Sequence, residues 1–206
     1  MISFEATSFG QAWLKSMSHI MQTGSLVYDE DIRLKEICNL GFRIDSISED
    51  DIIIQKYANQ ERINLLKRKY ATKGLVPPYT IDYGSLIYDN NGVDQIEWVV
   101  NKIKKKPETK QGTIALNKPG DNQIPCLSLM NFKYRNDKLL MTVVYTTQNV
   151  FSSQPGNLLA LRQIQKNVAA NIGVEMGHVE LLVLSAHIYE SDFKEVEAIL
   201  KATELH

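Results

Sequence analysis

Cysteine is scarce in this chain: Cys38 and Cys126 are the only two among 206 residues, and they form no CxxC motif. The sequence therefore offers no disulfide framework, and a reduced, cytoplasmic setting is expected, without a metal site. An excess of one charge is missing too, because 23 basic and 24 acidic residues leave a formal charge of −1. Binding to nucleic acid or to an anionic membrane through bulk charge is therefore not expected.

Long apolar runs, internal repeats and low-complexity segments are also absent from the sequence. No transmembrane helix is predicted, and the N-terminus shows no signal-peptide pattern. The chain is 44% hydrophobic and 23% charged, which is an ordinary composition for a globular protein with a real core. Because the composition does not shift along the chain, we predict one domain over residues 1–206.

Hydrophobic periodicity changes irregularly between the helical and the strand pattern. Apolar residues three and four apart predict helices over 9–22, 59–70, 94–105, 157–171 and 192–202. Alternating or β-branched runs predict strands over 37–44, 113–116, 127–134, 139–147 and 179–185, and Asn136-Asp137 is typical of a hairpin turn. This mixture predicts an α+β fold around one large mixed sheet.

Cys126 lies between Pro125 and Leu127, at the start of a predicted strand. A single cysteine in such a place is usually a small buried hydrophobic residue. It acts as a nucleophile only where nearby cations, amide donors or a base favour the thiolate. The residues around Cys126 in the sequence do not decide between these two interpretations.

Five segments occur in the order found in thymidylate synthases: 125–127, 137–139, 154–158, 171–178 and 185–189. Upstream, Tyr83-Gly84 followed by 94–96 repeats the same order. Over roughly its last two-thirds the chain thus resembles the short, archaeal-type members of the thymidylate synthase family. The resemblance implies the thymidylate synthase fold, in which helices cover one face of a large mixed β-sheet and the other face is used for dimerisation.

The resemblance also implies roles for individual residues. Cys126 would be the thiolate that adds to C6 of a pyrimidine and makes C5 a carbon nucleophile. Tyr83 would organise proton transfer at C5, and Asn157 would pair with the O4 and N3 edge of the ring. His187 and Tyr189 would bind the 3′-hydroxyl of the sugar. An amide both donates and accepts hydrogen bonds, so it suits uracil, whereas cytosine-specific relatives often carry aspartate at this position.

Two of these assignments have simpler alternatives. The run 155–157 is typical of a turn followed by a helix N-cap, which would by itself explain Asn157. His187 and Tyr189 lie two residues apart and so on the same face of a strand, where both could be core residues with satisfied polar tips.

Departures from the family pattern occur where it binds phosphate and folate. An Arg-Ser pair that binds the 5′-phosphate is replaced by Thr146-Thr147, and an Arg-Arg pair from the neighbouring subunit by Lys110-Gln111. Lysine replaces bidentate arginine only as a point charge, so we expect a substrate without the usual 5′-phosphate. Asn149 stands where the family has an aspartate that contacts folate.

We therefore expect a methyl or hydroxymethyl transferase that acts on C5 of a uracil-type nucleoside or nucleotide other than standard dUMP, in a specialised biosynthetic pathway. The carbon donor would be 5,10-methylenetetrahydrofolate. We also expect a homodimer, because the strands 127–134 and 139–147 are apolar on both alternations and need a second covering layer. Two alternatives stay open: a non-catalytic descendant that binds a nucleoside-like ligand, and a cysteine enzyme with a non-pyrimidine substrate.

Overall fold

The computed structural model describes residues 2–117, 120 and 123–203, which form one mixed sheet of seven strands with helices packed against it. The strands are β1 Ile2–Ala6, β2 Ser25–Asp29, β3 Ile32–Ile44, β4 Thr113–Ala115, β5 Leu127–Arg135, β6 Lys138–Asn149 and β7 Glu175–Tyr189. The helices are α1 Phe9–Thr23, α2 Ile52–Tyr57, α3 Gln60–Ala71, α4 Tyr83–Tyr88, α5 Gln95–Lys105, α6 Gln154–Ile172 and α7 Phe193–Thr203. No helix in these described ranges is long and apolar enough to cross a membrane.

The strand order across the sheet is β1-β3-β7-β6-β5-β4. β1 and β3 are parallel, as are β6 and β7, whereas β3 and β7, β5 and β6, and β4 and β5 are antiparallel. β2 forms an antiparallel hairpin with the first half of β3. This order brings the start of β5, the ends of β6 and β7 and the β2–β3 turn to one edge of the sheet.

One face of the sheet is covered by α1, α5 and α6. β6 illustrates the alternation, because Leu139, Met141 and Val143 are fully buried under the helices, while Leu140 and Thr142 are half-exposed. The predicted α+β class, with helices on one face of a large mixed sheet, is therefore confirmed.

The opposite face, which we call the open face, mixes apolar and polar side chains. Leu129 and Val144 share it with Asn131, Lys133 and Thr142, all of them only half-buried. The prediction that β5 and β6 are apolar on both alternations is therefore wrong for the open face. Its composition is that of a half-solvated antiparallel region.

Several elements differ from the sequence patterns. β1 and β2 were not predicted, since both are five-residue edge strands with many exposed positions. β7 extends well beyond 179–185 because it is a central strand, paired on both sides by β3 and β6. α6 begins at Gln154, three residues earlier than predicted, with Pro155 in its first turn, where a missing N–H costs nothing.

Candidate active site

A cavity of about 420 Å³ lies at the sheet edge where β5 begins and β6 and β7 end. This volume falls in the range of small-molecule sites. Seven of the predicted site residues line it: Tyr83, Cys126, Thr147, Asn149, Asn157, His187 and Tyr189. Strands and α6 form one side of the cavity, and α3 with the segment before α4 forms the other.

Cys126 is the residue immediately before β5, and its backbone is firmly held. Its carbonyl accepts hydrogen bonds from the Thr146 backbone N–H at 2.7 Å and from Thr146 Oγ1 at 3.2 Å. The thiol is free and Cys126 is exposed. The interpretation of Cys126 as a buried hydrophobic residue is therefore wrong, and its thiol is available to a ligand in the cavity.

Tyr83 supports the same stretch of chain from the helical side. It is the first residue of α4, is 2% exposed, and its hydroxyl accepts a hydrogen bond from the Leu127 N–H at 3.3 Å. Burial and then the negative charge of the Cys126 thiolate raise the pKa of Tyr83. The phenol therefore stays protonated at neutral pH and can donate its proton in a hydrogen bond beside the thiol.

Asn157 belongs to a buried hydrogen-bond network with two tyrosines. The hydroxyls of Tyr70 and Tyr145 are 2.7 Å apart, and Tyr70 donates to Asn157 Oδ1 at 3.3 Å. Burial raises the pKa of both phenols, so both remain neutral. With Oδ1 engaged by Tyr70, the amide N–H groups of Asn157 are the donors left for a ligand carbonyl.

The N-cap explanation for Asn157 is wrong. α6 has Ser153 at its N-cap, and Asn157 lies one turn inside the helix, donating its N–H to the Ser153 carbonyl at 3.0 Å. The side chain of Asn157 lines the cavity.

His187 and Tyr189 lie at the end of β7 and both line the cavity. His187 Nδ1 and Thr147 Oγ1 form a hydrogen bond of 3.2 Å, and the Tyr189 hydroxyl donates to Asp29 Oδ2 at 3.3 Å. Burial lowers the pKa of His187, which keeps its imidazole neutral at pH 7. The two rings meet edge to face with centroids 5.1 Å apart, and Asp29 at the end of β2 completes this hydrogen-bonding corner.

Asn149, the last residue of β6, uses its side-chain carbonyl to accept the Ser152 N–H at 3.0 Å. The carboxamide therefore closes the turn between β6 and α6. Its N–H groups can donate to a ligand, but an amide cannot exchange a proton as an aspartate does.

Three predicted residues do not line the cavity of this chain. Thr146 holds the Cys126 carbonyl and follows the open-face series of Leu140, Thr142 and Val144 along β6. Lys110 and Gln111 are exposed in the loop between α5 and β4, at the far edge of the sheet. Their expected contact was with the neighbouring subunit, and it stays a prediction.

The α3 side of the cavity contains residues that the sequence patterns did not single out. Arg62, Leu66, Lys69 and Tyr70 all line the cavity, and their spacing of four, three and one places them on one helical face. α3 can lie this close because α6 has Gly156 at the crossing, where an added Cβ would come within 2.7 Å of the Leu66 Cβ. The signal available in the sequence was that two basic residues, Arg62 and Lys69, share a helix face with Leu66 and Tyr70.

Lys69 is held between aromatic rings. Its Nζ lies 3.7 Å from the ring centroid of Tyr83 and 4.0 Å from that of Tyr79. Desolvation lowers the pKa of Lys69 to about 8; the negative charge of Cys126 opposes this shift and the charge of Arg62 adds to it. The ammonium is thus close enough to Cys126 for their charges to interact.

Comparison with known proteins gives concordant findings. The family model described as thymidylate synthase matches residues 60–206, which begins at the first residue of α3. A Methanosarcina mazei protein named "Putative thymidylate synthase" is 30% identical, over 95% of this chain and 93% of its own length. A Methanothermobacter thermautotrophicus protein of the same name is 28% identical, over 97% and 98%. The Mycoplasma genitalium protein named "Thymidylate synthase" is 27% identical over 60% of this chain and 44% of its own length.

Proposed function

This chain belongs to the thymidylate synthase family, and we propose that it transfers a methyl or hydroxymethyl group to C5 of a uracil-type nucleoside or nucleotide. The observation that carries this proposal is the exposed Cys126 thiol in a cavity shared with Asn157, His187 and Tyr189. A nucleophile, an amide for a ring edge and two polar groups for a sugar are the parts that this chemistry needs.

In the proposed reaction, the Cys126 thiolate bonds to C6 and the electron pair of the C5–C6 double bond moves onto C5 and O4. C5 then forms the new carbon–carbon bond to the one-carbon unit and afterwards loses its proton. The carbon–nitrogen bond that joined this unit to the donor breaks, and the donor would leave as tetrahydrofolate if water supplies the hydroxyl of a hydroxymethyl product, or as dihydrofolate if the donor supplies the hydride of a methyl product. The sulfur–C6 bond breaks, the ring double bond returns and the thiolate is released. Tyr83, protonated and beside the thiol, orients the water that accepts the C5 proton.

Asn157 selects the ring. Because its Oδ1 accepts from Tyr70, its amide N–H donates to O4, where negative charge develops during addition. A uracil ring presents an acceptor there, whereas cytosine presents an amino donor. Uracil is therefore the proposed ring.

The corner formed by His187, Tyr189 and Asp29 binds the sugar. A neutral imidazole, a phenol and a carboxylate together donate and accept hydrogen bonds, which suits hydroxyl groups. The family position for the 5′-phosphate has Thr146 here, which carries no charge. We therefore propose a substrate other than standard dUMP, made in a specialised pathway.

5,10-Methylenetetrahydrofolate is the proposed donor and supplies the one-carbon unit when bound. The α3 side fits such a ligand, because Tyr79 offers an aromatic surface and Arg62 and Lys69 offer positive charge. Asn149 contributes hydrogen-bond donors there but no proton exchange.

A homodimer through the open face is also proposed. Leu184 is 39% exposed on this face, and Leu182 and Val144 are half-buried beside it. A second sheet packed there would cover these residues, and the partner would bring its Lys110 and Gln111 toward the site. Sedimentation at micromolar concentration tests this, and a monomer would remove both the interface and the role of Lys110.

A cytoplasmic, reducing location would keep Cys126 a free thiol.

Release of tritium from [5-³H]deoxyuridine tests the function, with and without methylenetetrahydrofolate. Addition of Cys126 to C6 labilises the C5 hydrogen, so release above the rate of a Cys126→Ser variant is expected. If the folded wild-type protein released no tritium from either deoxyuridine or dUMP, a non-catalytic descendant or a non-pyrimidine substrate would replace the proposal.

A further inference from the structure

Two cations line the cavity on α3 without a carboxylate partner among the described residues. Arg62 and Lys69 both lie near the Tyr79 ring, with Arg62 Cζ 5.5 Å and Lys69 Nζ 4.0 Å from its centroid. Neither takes part in an ion pair within the described part of the chain. Two like charges that are partly removed from water and unpaired raise the free energy of the native protein.

Two polar groups on or beside these cations also lack hydrogen-bond partners among the described residues. Arg62 Nε and the Tyr79 hydroxyl are both buried and have no hydrogen-bond partner in the described structure. Among the described residues, the only hydrogen bond of the guanidinium with a polar side chain is a long one, 3.5 Å from Nη2 to Ser153 Oγ. Guanidinium, ammonium and phenol donors that converge on one cavity match an oxyanion, which accepts from all three.

We infer that Arg62 and Lys69, with the Tyr79 hydroxyl, form an oxyanion-binding subsite at the α3 end of the cavity, which takes a carboxylate or phosphate of a ligand. The inference rests on the proposed function only in assuming that this cavity is the ligand site. The bound oxyanion neutralises both cations and accepts the unpaired hydrogen bonds.

The charge distribution favours the carbon donor as the source of the oxyanion. Asp29, a carboxylate, lies in the corner with His187 and Tyr189, where the sugar is proposed to bind. Tyr70, next to Lys69 on α3, contacts Asn157 and so marks the ring end of the cavity. An anion beside Arg62 and Lys69 meets two positive charges, whereas an anion in the sugar corner would meet the Asp29 carboxylate.

Other arginines do not provide this charge. Arg33 pairs with Glu190 at 2.9 Å, and Arg162 donates to the Gly177 carbonyl at 2.9 Å and to Gln165. Neither lines the cavity. Arg68 is exposed on the same helix and also lies outside the cavity, so it provides a matched control for both substitutions.

Calorimetric titration of the full chain tests the subsite with two matched ligand pairs: folic acid against pterin, and dUMP against deoxyuridine. Inorganic phosphate is the smallest probe, and its binding is measured as a rise in the melting temperature of the protein. Wild type is compared with Arg62→Gln, Lys69→Gln and Arg68→Gln. We expect Arg62→Gln and Lys69→Gln each to weaken folic acid binding about tenfold or more, with pterin and the Arg68→Gln variant unchanged.

The same loss for dUMP, with deoxyuridine unchanged, would support the subsite and identify the nucleotide phosphate as its occupant. Equal losses for the charged and uncharged members of each pair, or no change for any anion, would overturn it. So would a wild-type protein that binds neither the anionic ligands nor phosphate. If tritium release fails while phosphate binds wild type and not the variants, the subsite stands and only the proposed reaction is wrong.

Discussion

The two sides of the cavity differ in chemistry and in how they are built. The strand side presents an exposed thiol and a neutral network of Thr147, His187 and Tyr189, anchored by sheet hydrogen bonds and by Asp29. The α3 side presents two cations among tyrosines, and neither has an ion-pair partner in the part of the chain that the structure describes. Groups that take part in bond formation must be held at fixed positions, and the sheet hydrogen bonds do this on the strand side. The α3 side supplies the charge that a ligand meets.

This difference suggests a division of roles. The groups proposed to react with or orient a pyrimidine lie at strand ends and on the first turn of α6. The family match over residues 60–206 includes every residue that lines the cavity except Asp29. Where the family pattern has an arginine for the 5′-phosphate, β6 of this chain has the uncharged Thr146. Positive charge is present instead on α3, at Arg62 and Lys69. Each of the following predictions tests one side against the other.

The largest expected effect is on the strand side, at Cys126. Cys126→Ser should reduce tritium release from [5-³H]deoxyuridine by roughly 10³-fold or more, because a hydroxyl is a far weaker nucleophile than a thiolate. The fold should be kept, since the two side chains are nearly the same size. Circular dichroism and thermal denaturation check this.

Cys38→Ser is the matched control for that substitution. Cys38 is also free and exposed, but it lies on β3 and does not line the cavity. Its substitution should leave tritium release unchanged. Unchanged turnover in Cys126→Ser would instead show that Cys126 is structural.

The next effect concerns ring choice at Asn157. Asn157→Asp should lower tritium release from deoxyuridine compounds about 10- to 100-fold, because O4 loses its amide donor and faces an acceptor. The same variant should gain activity on [5-³H]deoxycytidine, whose amino group donates to a carboxylate. Asn171→Asp, at an exposed position near the end of α6, is the control and should change neither activity. An unaltered preference in Asn157→Asp would remove Asn157 from ring recognition.

The two sides also differ in how far the sequence predicts them. Cys126, Asn157, His187 and Tyr189 lie in short runs whose order resembles one family, and the sheet confirms that they line one cavity. The α+β class with one large mixed sheet was predicted as well, but two of its seven strands, β1 and β2, were not. What each of them contributes to a reaction is still a proposal.

Arg62 and Lys69 could not be identified in the same way. A base on an amphipathic helix usually faces water, and the sequence does not show which neighbours a helix will meet. The close crossing of α3 and α6 at Gly156 brings the helix face that carries both side chains to the cavity. Asp29 was missed because β2 is a short edge strand, in which Leu26 and Tyr28 are exposed and give no buried pattern.

Phosphate recognition should respond to a change at Thr146. Wild type should bind dUMP no more tightly than deoxyuridine, because Thr146 and Gln111 offer no charge-assisted bonds. Thr146 itself lies outside the cavity, but an arginine at this position, next to Thr147 in the cavity wall, is long enough to extend to the cavity edge. Thr146→Arg should therefore strengthen dUMP binding about tenfold and leave deoxyuridine unchanged, since one charge-assisted bond contributes about 1.5–3 kcal/mol. Calorimetry at two salt concentrations measures this. Tight, salt-sensitive dUMP binding by wild type would mean that other basic residues bind the 5′-phosphate, and its loss in Arg62→Gln and Lys69→Gln would identify Arg62 and Lys69 as those residues.

The smallest effect is on stability, at Lys69. Its pKa is about 8 in the native state against 10.5 in the unfolded chain, so the charged form is disfavoured by folding. Lys69→Met should therefore raise the free energy of unfolding at pH 7 by about 1–2 kcal/mol while weakening anion binding. Between pH 8 and pH 10.5 the unfolded chain keeps a proton that native Lys69 has lost, so wild-type stability rises and the advantage of the variant should shrink.

Urea denaturation of wild type and Lys69→Met at pH 7 and pH 10 measures this difference, with Arg68→Met as the exposed control on the same helix. The control should change stability little at either pH. A Lys69→Met protein less stable than wild type at pH 7 would mean that the contacts with the Tyr79 and Tyr83 rings outweigh desolvation. The cations of α3 would then stabilise the fold without any ligand, and relief of their desolvation would not favour oxyanion binding.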